Sequence, residues 1–341
     1  MKVLRALAAP YDSLGGLPYH STSSIGITLF SDSNVSLEDL MKQADIALYQ
    51  AKDAGRNTLR FFDPQMQAQV LARVALEQSV RQGLINGEFI VHFQPKVGLD
   101  KRTVGVEGLI RWAHPRDGIV LPQAFIALAE ETGLIVSLGR VVLAAACEQL
   151  VAWADRPERG QLRIAVNVSV REFRQPDFVA SVLAIVDASG ADARRLTLEI
   201  TESVFAEHMS EIVEKMTVLR ERGIDFALDD FGTGYSSLTY LKRMPLKELK
   251  IDGSFVRDVL TDPNDATIAR AIIALGHELG IEVVAEGVES QAQFEFLAAS
   301  GCRTFQGNLF SAPMAADALE RFLDAPESRS VAEPASRWPA H

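Results

Sequence analysis

The pattern of apolar and polar positions changes near residue 88. From there to about residue 323, short runs of alternating apolar and polar residues are separated by longer segments with apolar residues every three or four positions. Alternation with period two predicts strands, and the longer spacing predicts helices. The predicted strands are 89–97, 103–112, 163–170, 196–201, 226–230, 249–252, 283–287 and 304–310. The predicted helices are 122–132, 138–153, 175–188, 209–222, 265–279 and 291–299.

This order of elements predicts one large α/β domain over residues 88–323. Eight strands with helices between most of them fit a (β/α)₈ TIM-like barrel, which typically takes about 250 residues. Only residues 98–102 separate the first two strands. That connection is too short for a crossover helix, so we expect the first strand to run antiparallel to the second.

The pattern of residues 1–62 predicts a small and incomplete αβ unit. Residues 24–30 and 58–62 have strand character, and Ser36 with Asp39 forms a capping box before a helical pattern that ends at Gly55. One helix and two or three strands give a marginal core.

Two further segments flank the predicted barrel. Asp63 and Pro64 begin a helix that runs to about Leu84, so residues 63–87 are predicted to connect the two domains. Residues 324–341 are rich in Pro, Ser, Ala and charge, which predicts a disordered tail.

The polar face of each predicted barrel strand carries a functional group at or near its carboxyl end. Strand 226–230 ends in Asp229 and Asp230, whose adjacent carboxylates repel each other unless a cation lies between them. One acidic residue at a strand end is usually a helix cap, but that reading does not explain a polar group on almost every strand. Since the strand ends form a barrel's catalytic face, these groups are expected to converge. They are Glu107, Asn167, Glu199, Asp229, Lys250, Glu286 and Gln306.

The residue types indicate the kind of ion that such a site would hold. Oxygen ligands without paired Cys or His favour Mg²⁺ or Mn²⁺ over zinc, and the six histidines show no ligand spacing. The net charge of -11 argues against a polymeric nucleic acid as partner. An anionic small substrate is compatible with that charge if metal ions screen it locally.

Composition also bears on the cellular location. The two cysteines, Cys147 and Cys302, lie far apart and predict a reducing compartment rather than a disulfide framework. The most apolar stretch, near residues 141–153, is interrupted by Glu148 and Gln149, so no membrane span is expected. The first residues do not have the pattern of a signal peptide. We expect a cytoplasmic protein, or the cytoplasmic part of a longer, membrane-anchored sensor.

The sequence of residues 88–323 resembles a known family. Residues 106–112, VEGLIRW, are similar to the motif that names the EAL domain of cyclic di-GMP phosphodiesterases, with Gly108 in place of the usual Ala. Gly253 and Asn308 stand where the family usually has Arg and Tyr, outside the metal set. Further matching motifs, in the same order, are 93–95, 129–135, 167–169, 198–203, 229–237, 249–252, 285–289 and 305–307.

The resemblance implies roles for individual residues. It makes Glu107, Lys250 and Glu286 catalytic and gives Glu202 the task of anchoring the loop after Asp230, residues 231–237. The implied metal ligands are Glu107, Asn167, Glu199, Asp229 and Asp230, with Asp229 shared by two Mg²⁺ or Mn²⁺ ions. The implied substrate contacts are Gln94, Leu109, Arg111, Asp252, Gln306 and Glu289.

The activity that the resemblance implies is hydrolysis of cyclic di-GMP to linear pGpG by a water activated by two metal ions, in a homodimer formed through this domain. The main alternative is a catalytically silent cyclic di-GMP receptor that signals through partners, although silent members usually lack metal ligands that are present here. An unrelated metal-dependent barrel enzyme acting on small carboxylates fits the ligands but does not account for Gln94 and Arg111.

The N-terminal unit carries a second resemblance. Residues 24–27, 44–52 and 55–57 are similar to the last third of a GGDEF diguanylate cyclase domain. The loop that names that family and its upstream nucleotide-binding parts do not occur in this sequence. The resemblance therefore implies a fragment without cyclase activity.

Overall fold

A computed structural model describes residues 2–8, 11–14, 17–19, 21–30, 35–206, 209–232 and 241–325 of the chain. The chain divides into two compact units, Met1–Val80 and Arg81–His341. Residues 233–240, which include most of the predicted loop after Asp230, and residues 326–341 of the predicted tail lie outside the described residues.

The first unit contains the predicted strand–helix–strand arrangement. Its elements are α1 Lys2–Leu7, β1 Tyr11–Leu14, β2 Leu17–Tyr19, β3 Ile25–Ile27, α2 Leu37–Asp53 and β4 Leu59–Phe61. Strands β3 and β4 pair in parallel, and α2 packs on them. Ser36 caps α2 by accepting a hydrogen bond from the Asp39 N–H at 3.1 Å. A Cβ at Gly26 would lie 2.1 Å from the Ala44 carbonyl oxygen, so only glycine lets the helix approach this closely.

A long helix, α3 Pro64–Asn86, follows β4; it begins within the first unit and ends within the second. The Asp63 carboxylate accepts a hydrogen bond from the Gln65 N–H at 2.9 Å, as an N-cap does. The helix ends two residues later than predicted, and Gly87 follows it with φ of 70°.

The second unit is a closed barrel of eight strands, as predicted. The first barrel strand pairs antiparallel with both of its neighbours, and the other neighbouring pairs are parallel. The barrel strands are β5 Phe89–Gly98, β6 Thr103–His114, β8 Arg163–Asn167, β9 Leu196–Thr201, β10 Asp225–Phe231, β11 Glu248–Ile251, β12 Glu282–Ala285 and β13 Thr304–Gln306. Two short strands, β7 Gly118–Val120 and β14 Met314–Ala315, pair with β6 and β5.

Helices cover the outside of the barrel. They are α4 Ile126–Thr132, α5 Ile135–Ala152, α6 Val170–Phe173, α7 Phe178–Ser189, α8 Met209–Glu221, α9 Gly253–Arg257, α10 Pro263–Leu279, α11 Gln291–Ala299 and α12 Ala316–Asp324. Short 3₁₀ turns lie at Pro122–Ala124, Ala193–Arg195 and Glu202–Ala206. The predicted tail begins one residue too early, because Asp324 still belongs to α12.

Helix α5 bears on the expectation about membrane spans. It begins at Ile135, three residues before the predicted start, and by length and apolar composition it is the one helix in the described ranges that could cross a membrane. Leu138, Ala146 and Leu150 of this helix are buried, and the helix packs against β5, β8 and α7. Such packing is that of a core helix in the barrel's outer layer.

Four strands end earlier than predicted, and β11 does so by one residue, at Ile251, because Asp252 caps α9. Strand β8 stops at Asn167 because Ser169 caps α6, and β12 stops at Ala285 shortly before Gly287, which has φ of 63°. Strand β13 stops at Gln306 because the chain at Gly307 turns against Val288, whose carbonyl oxygen would lie 2.2 Å from a Cβ. These early ends leave the last inward-facing polar residues at the rim of the barrel.

Candidate active site

The strand register brings the predicted polar residues to one mouth of the barrel, which we call the carboxyl-end mouth. Asn167 of β8 pairs with Glu199 of β9, and Gln94 of β5 pairs with Glu107 of β6. Ala227 is level with Glu199, so Asp229 lies one inward-facing position nearer the mouth. The alternation of the strands therefore places carboxylates in layers around a single centre.

The centre of this cluster is the ammonium group of Lys250, whose side chain is 1 % exposed. Four carboxylates surround it. Its Nζ lies 2.5 Å from Glu199 Oε2, 2.6 Å from Glu286 Oε1, 3.2 Å from Asp229 Oδ1 and 3.6 Å from Glu107 Oε2. Burial works to lower the pKa of Lys250, but the carboxylates outweigh it and raise that pKa well above its ordinary value, so the group stays charged.

Glu107 is held by two side-chain amides. Asn167 Nδ2 donates to Glu107 Oε1 at 2.6 Å, and Gln306 Nε2 donates to Glu107 Oε2 at 2.6 Å. Burial, followed by repulsion from Glu199, raises the pKa of Glu107. A carboxylate fixed by two amides is preorganised as a ligand for a cation.

Glu199 lies between two lysines. Lys250 contacts one carboxylate oxygen, and Lys96 Nζ contacts the other, Oε1, at 2.8 Å. Burial works to raise the pKa of Glu199, but the two ammonium groups outweigh it and hold that pKa at about 2. Glu199 is therefore an ionised carboxylate in the interior of the barrel.

Asp229 and Asp230 form the rim of the cluster. The Asp230 N–H donates to Asp229 Oδ1 at 3.0 Å, and Asp230 has φ of 55°, a left-handed conformation that costs energy for a non-glycine residue. Burial, then the charges of Asp229 and Asp252, raises the pKa of Asp230 to about 6. Burial also raises the pKa of Glu286, whose oxygen lies within 4.8 Å of oxygens of Asp229 and Asp230.

These residues fit the divalent ions that the sequence predicted. Five carboxylates outnumber the cations beside them, and burial, with repulsion from neighbouring carboxylates, raises the pKa values of Glu107, Asp230 and Glu286. All candidate ligands are oxygen donors, which suits Mg²⁺ or Mn²⁺ better than a soft metal. Glu107, Asn167, Glu199, Asp229 and Asp230 are thus brought together as predicted, while their role as ligands stays a prediction.

The predicted substrate contacts differ in how close they lie to the cluster. Gln306 Nε2 also donates to Gln94 Oε1 at 3.0 Å, and Gln94 Nε2 donates to the Ser311 carbonyl at 3.1 Å. The buried Arg111 side chain donates to the Ile110 carbonyl at 2.8 Å, and its burial lowers its pKa, partly offset by Glu107. These three side chains lie in or beside the cluster.

Asp252 and Glu289 lie further out. Asp252 caps helix α9 by accepting a hydrogen bond from the Ser254 N–H at 3.0 Å, and it influences the titration of Asp230. Glu289 is exposed, and in the part of the chain that the structure describes its side chain makes no hydrogen bond or ion pair with the cluster. The structure therefore groups Asp252 with the site but leaves Glu289 at its edge.

Glu202 reaches the segment that follows Asp230. Its Oε1 accepts a hydrogen bond from the Gly232 N–H at 2.9 Å. Its buried Oε2 has no hydrogen-bond partner within the described ranges. The contact is the one that the predicted loop anchor requires, although the loop beyond Gly232 lies outside those ranges.

A cavity of about 720 Å³ opens beside the cluster. Leu109 and Asn167 line it, and so does buried Glu172 of α6, which lies against Gly139 of α5. Most of the remaining lining is apolar, from Pro122, Ile126, Ile135, Leu138, Val142, Val168 and Val170. A flat aromatic group fits a cavity of this size and polarity.

Two buried residues of the barrel interior were not singled out from the sequence. Lys96 and Glu248 are 4 % and 7 % exposed, and Lys96 Nζ lies 2.9 Å from Glu248 Oε2. The alternation that placed Gln94 and Lys250 inward also places Lys96 and Glu248 inward, one position deeper. That signal was available in the strand pattern.

The fold and the cluster together define a TIM-like barrel with an acidic, oxygen-donor site at the carboxyl ends of its strands. The chain belongs to the EAL domain family, whose model matches residues 77–313. The model of the diguanylate cyclase GGDEF domain matches residues 2–58, so the N-terminal unit is a partial GGDEF region.

Curated relatives share this combination. The bifunctional diguanylate cyclase/cyclic di-GMP phosphodiesterase MucR of Pseudomonas aeruginosa is 40% identical over 319 residues, which are 93% of this chain and 46% of that protein. The cyclic di-GMP phosphodiesterase PdeR of Escherichia coli is 34% identical over 321 residues, 94% of this chain and 48% of that protein. The chain thus spans less than half the length of these two relatives.

A solved structure is also similar to the barrel of this chain. The PaMucR phosphodiesterase in complex with c-di-GMP is 42% identical, with a TM-score of 0.70. The match covers 72% of this chain and 99% of that one.

Proposed function

We propose that this chain hydrolyses cyclic di-GMP to linear pGpG in a reaction that depends on two divalent ions. The observation that carries the proposal is the convergence of Glu107, Glu199, Asp229 and Glu286 on Lys250 at the carboxyl-end mouth of an EAL-family barrel. Similarity to MucR and PdeR, both named as cyclic di-GMP phosphodiesterases, supports cyclic di-GMP as the substrate.

The ligands in this proposal are Glu107, Asn167, Glu199, Asp229 and Asp230. When bound, Mg²⁺ or Mn²⁺ supplies positive charge for the phosphodiester and acidifies the attacking water. Asp229 and Asp230 are adjacent on the chain, and the left-handed conformation of Asp230 turns the two carboxylates toward one region. Asp229 is the ligand best placed to serve two ions.

In this proposal Lys250 stabilises negative charge and Glu286 takes part in proton transfer. The Lys250 ammonium group, held 2.6 Å from Glu286, donates hydrogen bonds to the water and to negative charge that develops on the phosphate. Burial raises the pKa of Glu286 to about 8, so its ionised form is basic enough to accept a proton from the water.

Substrate binding uses the groups around the cluster. Arg111 and Gln94 provide donors for phosphate and base, with Gln306 linking Gln94 to Glu107. Leu109 and the apolar wall of the 720 Å³ cavity receive one guanine base. Asp252 and Glu289 contact substrate from the rim.

Location and assembly form a further part of the proposal. Cys147 and Cys302 are buried free thiols, which suits a reducing, cytoplasmic setting. We propose that the barrel pairs with a second copy through the segment after Asp230 and that Glu202 transmits this contact to the site.

Product chromatography of the full chain with cyclic di-GMP and Mg²⁺ or Mn²⁺ tests the proposal. We expect pGpG to form, to disappear with EDTA and to return when metal is added back. Glu107→Ala removes turnover, whereas Glu282→Gln, at the other end of the barrel, leaves it unchanged. Cyclic di-GMP binding without product in saturating metal would replace this proposal with a silent receptor.

A further inference from the structure

We propose that Lys96 is a positioning residue that holds the Glu199 carboxylate in the orientation needed to bind a metal ion. This inference rests on the proposed function only in taking Glu199 as a metal ligand. It concerns a residue outside the set of catalytic, metal and substrate contacts named above.

Lys96 lies inside the barrel, below the cluster. Its side chain is 5 % exposed, and its Nζ lies 2.8 Å from Glu199 Oε1 and 2.9 Å from Glu248 Oε2. Strand β5 sets this depth, because Lys96 pairs with Gly105 on one side and with Gln306 on the other.

The two lysines divide the oxygens of Glu199 between them. Lys250 takes Oε2 and Lys96 takes Oε1, so the carboxylate cannot rotate without losing an ion pair. Oε2 is thereby directed toward the cluster, where a divalent ion would compete for it. Without Lys96, Lys250 could bind both oxygens, and the ion would have to break a stronger pair.

Ion pairs rather than tight packing fix Lys96. A cavity of about 400 Å³ lies next to it, toward the amino ends of the strands, and small residues including Gly98, Gly105 and Ala165 line this space. A side chain with open space beside it is not wedged by its neighbours, so its two charged partners determine where Nζ lies. Glu248 supplies the compensating charge that lets a lysine stay buried.

The test uses a double substitution that leaves the net charge of the interior unchanged. Lys96→Met combined with Glu248→Gln removes one positive and one negative charge together, so altered ion affinity cannot come from net charge. The measurements are Mn²⁺ affinity by electron paramagnetic resonance, melting temperature, and kcat and KM for cyclic di-GMP. Glu282→Gln, paired in register with Glu248 but more exposed, is the matched control.

We expect the double variant to bind Mn²⁺ about 10-fold or more weakly, as loss of a group that orients a ligand does. Its kcat should fall while KM stays near the wild-type value. Lys96→Met alone leaves Glu248 buried without its cation and should melt lower than the double variant. Melting temperature and Mn²⁺ affinity should therefore respond differently. Adding Glu248→Gln to Lys96→Met restores the melting temperature but not the Mn²⁺ affinity.

Wild-type Mn²⁺ affinity in the double variant would overturn the positioning role, as would affinity that recovers together with melting temperature. Because Mn²⁺ binding is measured without turnover, a wild-type chain that binds Mn²⁺ but does not hydrolyse cyclic di-GMP would contradict the proposed function alone. A wild-type chain that binds no Mn²⁺ would overturn both.

Discussion

At the carboxyl-end mouth of the barrel, Glu107, Asp229 and Glu286 share the ammonium group of Lys250, whereas at the amino-end mouth the carboxylates are matched by separate cations. There, Asp225 lies 2.9 Å from Arg163, and Glu282 lies 3.2 Å from Lys247. The same strands supply both ends. Among the described residues, the carboxyl-end mouth carries excess negative charge, which a bound cation would relieve.

The difference shows how the barrel separates stability from chemistry. Each carboxylate at the amino-end mouth is paired with a cation, so these ion pairs do not need a bound metal ion. The barrel interior above them contains the Lys96–Glu248 ion pair, whose charges also cancel. At the carboxyl-end mouth, burial and then repulsion between carboxylates raise the pKa values of Glu107 and Glu286, which costs stability until metal or protons compensate it.

The largest effect is expected from Lys250→Met. It removes the cation that four carboxylates share, and we expect hydrolysis to fall by about 10² to 10³-fold at saturating Mn²⁺. Lys247→Met, which removes a cation from the amino-end mouth, should change the rate by no more than about twofold. Equal losses in the two variants, measured by pGpG formation, would abolish the distinction between the mouths.

A smaller effect, on the free energy of unfolding, is expected from Glu172, which lines the 720 Å³ cavity beside the carboxyl-end mouth. Burial raises the pKa of Glu172 to about 8, partly offset by a hydrogen bond from the Ser169 N–H and by Arg140. Because the folded-state pKa exceeds the unfolded value, stability falls as pH rises from about 4.5 to about 8. Relative to Glu172→Gln, the wild type should lose about 2 kcal/mol between pH 6 and pH 8 in denaturant titrations. Parallel pH profiles for the two proteins would contradict this account.

The smallest effect is expected from Thr197→Val at the amino end. The Thr197 hydroxyl is buried, lines the 400 Å³ cavity, and has no hydrogen-bond partner in the ranges that the structure describes. Valine has the same shape without the polar group, so we expect unfolding free energy to rise by about 1 kcal/mol. Hydrolysis should stay at the wild-type rate. A marked loss of activity would show that the amino-end cavity takes part in catalysis.

Much of the fold and the cluster could be predicted from the sequence. Period-two alternation identified every barrel strand, and the short link between β5 and β6 predicted their antiparallel pairing. The same alternation placed Glu199 and Lys250 on one inner face. These inferences worked because a strand's two faces are fixed by its backbone alone.

Other features depend on contacts between distant segments and could not be predicted. The 720 Å³ cavity exists because α4, α5 and α6 meet around Leu109. The place where β13 stops depends on how closely Gly307 approaches Val288, which no local pattern reveals. Lys96 follows the alternation, but its partner Glu248 is 152 positions away.

Counting Mn²⁺ ions bound per chain by electron paramagnetic resonance tests the central claim most directly. The proposed function predicts two bound ions for the wild type. Asp229→Asn combined with Asp230→Asn should hold at most one ion, weakly, while the protein remains folded. Two ions retained by that double variant, or none bound by the wild type, would contradict the account.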